Sequence, residues 1–213
     1  MTITHHLDGA TLMSFAAGAL PAALAAVAAA HVAMCPRCRR DVADLEQVGA
    51  ALMADLAPVG LERAPVPAPS VPSAPLGGRP GARGGETGDI PHPIAPLLPR
   101  GLDAVSWRWL GPGVWDHLLP VDGRGKLRLL RAAPGRSVPE HRHGGAELTL
   151  VLRGAFRDEL GIYRRGDVSE LDESISHRPV TEPGSDCICL VASEGPEEFR
   201  GLLARHWQRL RGI

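Results

Sequence analysis

Apolar positions along this chain keep three different rhythms. In "PRCRRDVADLEQVGAALMADL" the residues Val42, Leu45, Val48, Leu52, Met53 and Leu56 recur at helical spacing and line one side of a helix. The stretch before it, "LPAALAAVAAAHVAM", is almost wholly small and apolar, and Pro21 suits the first turn of a helix. A further helix is expected upstream, with Asp8 as N-cap of "GATLMSFAAG" and Gly18 as its stop. Residues 1–57 therefore read as three short helices.

Residues 58–100 lose this periodicity. "APVPAPSVPSAPLGGRPGARGGETGDIPHPIAPLLP" is dominated by Pro and Gly, which disfavour helix and central strand alike, so an extended linker is expected. After Gly101 the texture becomes short apolar runs such as "KLRLLRAAP", "AELTLVLRG" and "CICLVAS", broken by Gly, Pro and Asp. Runs at that spacing predict an antiparallel sandwich or barrel over 101–199. The tail, 200–213, returns to helical spacing. The expected fold is a two-domain α plus β chain: a small helical bundle, a linker, a β-barrel and a C-terminal helix.

Composition narrows the function. The 213 residues carry a net charge of −1 and no basic run with interleaved aromatics, which argues against direct DNA binding. Residues 15–34 are free of formal charge and long enough for a bilayer, but they are mostly alanine and interrupted by Gly18, Pro21 and His31. The start "MTITHHLDGA" lacks the basic residues of a secretory signal. A cytoplasmic protein without a membrane span is expected. The four cysteines form one CxxC and one CxC, too few for a disulfide scaffold and better suited to metal or redox chemistry.

The CxxC belongs to "HVAMCPRC". If His31 ends the second helix and Cys35 precedes Pro36, then His31, Cys35 and Cys38 converge where the second helix passes into the third. Thiolate and imidazole together favour tetrahedral Zn²⁺, which needs a fourth ligand. His5 and His6 lie just ahead of the first helix; His6 is chosen, with little to separate it from His5. A redox dithiol is the competing reading, but such a CxxC usually follows a β-strand and none is expected here. So short and alanine-rich a bundle buries little apolar surface, and a structural ion would add folding free energy.

"HH", "LDGATLMSFAAGALP" and "HVAMCPRC" together resemble the zinc-binding anti-sigma domain. That resemblance implies a bundle that wedges between the two main domains of an extracytoplasmic-function sigma factor and covers surfaces that bind core RNA polymerase. Leu7, Leu12, Met13, Phe15, Leu20, Leu24 and Val27, added to the third-helix stripe, exceed what three short helices can hide, so an exposed apolar patch is expected.

A second cluster lies in "GRSVPEHRHGGAELTLVLRG". His141 and His143 alternate along a strand and share one face, and Glu147 begins the next run after a "GGA" turn. Two imidazoles and a carboxylate suit Zn, Fe, Mn or Ni. Gly135, His141, His143, Glu147 and Gly154 match the spacing of the first cupin motif, which implies a cupin barrel. "GIYRRGDVSELDESISHRPV" resembles the second motif less closely: Gly166–Asp167 is kept, Arg164 stands where proline is usual, and His177 lies farther on. The resemblance carries the fourth ligand to His177.

"GD…HRP" is similar to the ChrR-type cupins, the branch fused to zinc anti-sigma domains. For the whole chain this implies a non-enzymatic anti-sigma factor with two metal sites, in a 1:1 complex with its sigma factor. It also implies release under oxidative stress, singlet oxygen above all. The alternative is a metal-dependent cupin enzyme, such as a dioxygenase, with an accessory helical domain. Cys187 and Cys189 share one face of an apolar strand and read as packing thiols.

Overall fold

The computed structural model describes residues 2–60 and 90–199. The middle of the expected linker and the expected helix at 200–213 lie outside the described residues. The three N-terminal helices form where the sequence places them: α1 (Gly9–Ala16), α2 (Ala22–Met34) and α3 (Pro36–Ala54). The Asp8 side chain accepts from the Thr11 N–H at 2.7 Å and caps α1. Cys35 sits in the extended joint between α2 and α3, and Pro36 opens α3 without losing a helical hydrogen bond.

Eleven short strands follow: β1 (Arg108–Gly111), β2 (Val114–Leu119), β3 (Lys126–Ala132), β4 (His141–His143), β5 (Glu147–Arg153), β6 (Ala155–Arg157), β7 (Ile162–Arg164), β8 (Val168–Leu171), β9 (Val180–Thr181), β10 (Cys187–Ser193) and β11 (Glu197–Phe199). The largest sheet runs β1-β2-β3-β10-β5-β8, and every pairing is antiparallel. The smaller sheets are β7-β6-β9 and β11-β4.

The large sheet is buried on both faces, and this fixes how the two halves of the protein meet. On one face Leu129 of β3, Leu148 and Leu150 of β5, and Leu190 and Ala192 of β10 join Leu24, Val27 and Ala28 of α2 in one core. The opposite face turns Arg128, Leu130, Ala132, Thr149, Cys187, Cys189 and Val191 into the barrel interior. Strand β10 is therefore apolar at consecutive positions, as a strand covered on both sides must be. Alanine along α2 has a purpose in this setting: its small side chain lets the helix lie close to the sheet.

The expected extended linker ends sooner than residue 100. Residues 92–97 form a 3₁₀ helix, and Ile94 and Leu98 are buried in the core shared with α2. Two apolar residues among prolines are enough to dock this segment once a sheet-backed helix is there to receive it.

Candidate metal centres

His6, His31, Cys35 and Cys38 come together, each offering one ligand atom, with all four atoms within 4.8 Å of one another. Nε2 of His31 is 3.3 Å from Sγ of Cys38, and Nδ1 of His6 is 3.3 Å from Sγ of Cys35 and 3.7 Å from Sγ of Cys38. A tetrahedral zinc with ordinary Zn–N and Zn–S bonds has ligand-to-ligand edges of about 3.3–3.8 Å, and these three distances match such edges. Burial and the neighbouring Cys35 push the Cys38 thiol up to about 11. A divalent cation would displace that proton and leave the thiolate. Burial pushes His31 down to about 4, which keeps the imidazole neutral and its lone pair available.

The neighbouring His5 turns the other way. Its ring lies against Tyr163 at a centroid distance of 4.4 Å, and its Nδ1 is 3.5 Å from the Asp167 carboxylate. Adjacent residues in an extended segment point to opposite sides. His6 consequently faces the cysteines while His5 faces the barrel.

The N-terminal cluster is seated on the barrel as well as on the helices. Nδ1 of His31 is 3.0 Å from the Gly166 carbonyl, which accepts its N–H and leaves Nε2 for the cluster. The Asp167 carboxylate accepts from the Thr4 N–H at 2.7 Å, the His5 N–H at 3.1 Å and the Arg164 N–H at 2.9 Å. These bonds hold Asp167 below the usual carboxylate range although its burial acts in the opposite direction. Gly166 has φ +89°, and a Cβ there would stand 2.8 Å from the Ile3 side chain. Only glycine allows this turn to meet the N-terminal segment so closely. Glu170 of β8 adds a bond from the Asp8 N–H at 3.0 Å and another from the Thr11 hydroxyl.

The second cluster lies inside the barrel. His141 and His177 face each other across an antiparallel bridge, with backbone bonds of 3.2 and 3.0 Å, and this brings the distant His177 to the HxH pair. Nε2 of His177 is 3.3 Å from Nε2 of both His141 and His143, about the edge of a tetrahedral N-ligated site. The outer nitrogens are held too: Nδ1 of His141 by the Pro139 carbonyl at 2.8 Å, and Nδ1 of His177 by Asp158 at 3.1 Å. Burial pushes His141 and His143 each down to about 4.

Glu147 lies beside this trio rather than in its mutual contact set. Its Oε2 is 3.1 Å from Nδ1 of His143, and its Oε1 accepts from the Thr149 hydroxyl at 3.0 Å. Neither Oε2 nor that Nδ1 has an aligned hydrogen bond among the described residues. A buried carboxylate oxygen without an aligned hydrogen bond, beside three clustered imidazoles, is what a cation would complete, so the residues fit a metal.

Asp158 and Glu170 were not singled out by the sequence reading, and Asp167 was named only as part of a turn. A signal existed for Asp167, in the Gly-Asp turn, but nothing local pairs it with residues 4 and 5. Cys187 and Cys189 have their sulfurs 3.6 Å apart and buried. Contact with Cys187, together with burial, pushes the Cys189 thiol well up and disfavours its thiolate.

Comparison with known proteins places this geometry in a lineage. Residues 101–196 match the family described as ChrR Cupin-like domain. The anti-sigma-E factor ChrR of Cereibacter sphaeroides is 40% identical over 205 residues, 96% of each chain. The crystal structure of Rhodobacter sphaeroides SigE in complex with the anti-sigma ChrR matches with a TM-score of 0.76 at 41% identity, covering 90% of this chain and 99% of that one.

Proposed function

The chain belongs to the family of ChrR-type anti-sigma factors, and from that premise we propose that it binds an extracytoplasmic-function sigma factor 1:1 and keeps it from core RNA polymerase. It is a regulatory binding protein, not an enzyme. The observation that carries this reading is likeness over almost the whole length, helices and barrel together, to a protein named for inhibiting a sigma factor.

The division of labour follows the fold. The helical segment to about residue 57 would grip the sigma factor, and the barrel over 101–199 would govern its release under oxidative stress, singlet oxygen included. Val48, Leu52 and Met53 on the second half of α3, Leu56 just beyond its end and Met13 of α1 are all more than half exposed, and they supply an apolar surface for a partner. No helix among the described residues is long and apolar enough to cross a membrane. A cytoplasmic location suits a partner that must be kept from polymerase.

His6, His31, Cys35 and Cys38 would hold a structural Zn²⁺. His141, His143, His177 and Glu147 would hold the second ion: Zn²⁺, or Fe, Mn or Ni. A metal at that second centre would supply a Lewis-acidic point inside the barrel, and Fe or Mn one that also responds to redox state. The protein's own route from there to the helices runs along β5. That strand starts at Glu147, and at Val151 it exchanges backbone bonds with Gly166 and Asp167 at 2.8 and 3.1 Å. The same Gly166–Asp167 turn holds His31 and the extended segment carrying His6.

The direct experiment is co-purification of the full chain with candidate sigma factors, followed by transcription with core polymerase. One sigma factor should be retained and silenced, and Leu52→Asp should release it while the melting temperature stays unchanged. Turnover of an oxygen-dependent substrate with no sigma factor bound would favour the enzyme instead.

A further inference from the structure

The barrel interior holds a cavity of about 630 Å³ that opens to the surface, within the range that proteins use for small molecules. Strand register sorts its walls into two ends. Arg128 on β3 stands beside Val191 on β10, which stands beside Thr149 on β5. The His141, Glu147 and His177 side chains line the same cavity, so charged and polar groups gather where β5 begins. The next rungs are apolar: Leu130 beside Cys189, then Ala132 beside Cys187 and Val114. Two residues per rung carry the apolar end to about 13 Å from the Arg128 rung. Leu110, Val138 and Phe156 continue that end, and the exposed Arg136, beside Gly113, lines the cavity there together with Ser137 and Thr181.

The charges at the polar end do not cancel once a metal is present. Arg108 is committed to Asp116 through bonds of 2.9 and 2.7 Å, which makes that pair neutral. The wall then carries the buried Arg128 guanidinium, the buried Glu147 carboxylate and the divalent ion of the proposed centre, a net positive pole. The chemistry that answers both ends is an anionic head on an apolar body.

We infer that the barrel interior is a binding site for an amphipathic carboxylate, with its head group at Arg128 and the metal centre and its apolar body among Leu110, Val114, Leu130 and Phe156. The inference rests on the proposed metal in the His141–His143–His177 centre. The occupant touches the inner face of β3 and β10, whose outer face carries the leucines that seat α2, so occupancy and the helix–barrel contact share the same strands.

The test is calorimetric titration of full-length, metal-loaded protein with decanoate and with decanol, together with metal analysis of every sample. Decanoate should bind at least about ten-fold more tightly than decanol, a difference of about 1.4 kcal/mol. Arg128→Met should bring decanoate down to the level of decanol. Leu130→Trp, which fills the apolar end without touching a metal ligand, should abolish binding of both. Equal binding of the two probes by the unaltered protein, decanoate binding that survives Leu130→Trp, or no binding by protein shown to retain its barrel metal would each overturn the inference. Failure of the metal assignment is seen separately, as barrel metal missing from the elemental analysis.

Discussion

The two candidate metal centres differ in what would remain if the ion were taken away. The barrel centre is carried by β4 and a bridge partner, and its imidazoles are aimed by Pro139 and Asp158. A sheet pinned through β3, β10 and β5 stands behind it. The N-terminal centre draws His6, His31, Cys35 and Cys38 from an extended segment, a helix end and a joint between helices. Besides the ion, what ties those pieces together is the barrel's Gly166–Asp167 turn and Glu170, which hold them from one side. The same element can thus be a passenger on a finished scaffold in one place and part of the scaffold in the other.

The largest consequence falls on Cys38→Ala. Structural zinc contributes about 10–16 kcal/mol, comparable with the whole stability of a domain, so this variant should lose one equivalent of metal, helical circular dichroism and sigma binding together. The mirror experiment is His143→Ala. It should remove the other equivalent, leave sigma-factor affinity unchanged and abolish stress-induced release in cells. If both variants lose sigma binding alike, the distinction between the two centres disappears.

Smaller effects probe the seam between the two regions. Ala28 is fully buried between α2 and the sheet, and Ala28→Leu should overpack it by about 1–3 kcal/mol, measured as a fall in the denaturation midpoint with both metals retained. Asp167→Asn keeps the side chain's shape but weakens its bonds to the Thr4, His5 and Arg164 amides, at about 1–3 kcal/mol. Its signature is faster zinc loss to a chelator from the N-terminal centre, while the barrel centre keeps its own rate. The smallest effect belongs to Asp8→Ala, which removes the α1 cap at about 1 kcal/mol and should leave both metal contents intact.

Much of this was legible along the chain because the information was local. Helical spacing, the Pro21 and Pro36 starts, and HxxxCxxC put α1 to α3 and three ligands in place from single stretches of sequence. His141 and His143 share a face because strands alternate. What stayed hidden depends on residues distant in sequence. The choice of His6 over His5 turns on Asp167 and Tyr163, more than 150 positions away. The docking of α2 on the sheet was hinted at twice, by a helix apolar all round and by a strand apolar at consecutive positions, and each signal makes sense only in the presence of the other. The helices had therefore been expected to stand alone on their ion, whereas the barrel shares that task. Nothing near Asp158 or Arg128 announces that they face the barrel centre or its cavity.

The most direct measurement is the equilibrium affinity of the full chain for its co-purified sigma factor before and after zinc is stripped from the N-terminal centre, with the barrel metal counted throughout. The account predicts a loss of at least about a hundred-fold, or about 2.7 kcal/mol. Undiminished binding by protein shown to lack that zinc would contradict it.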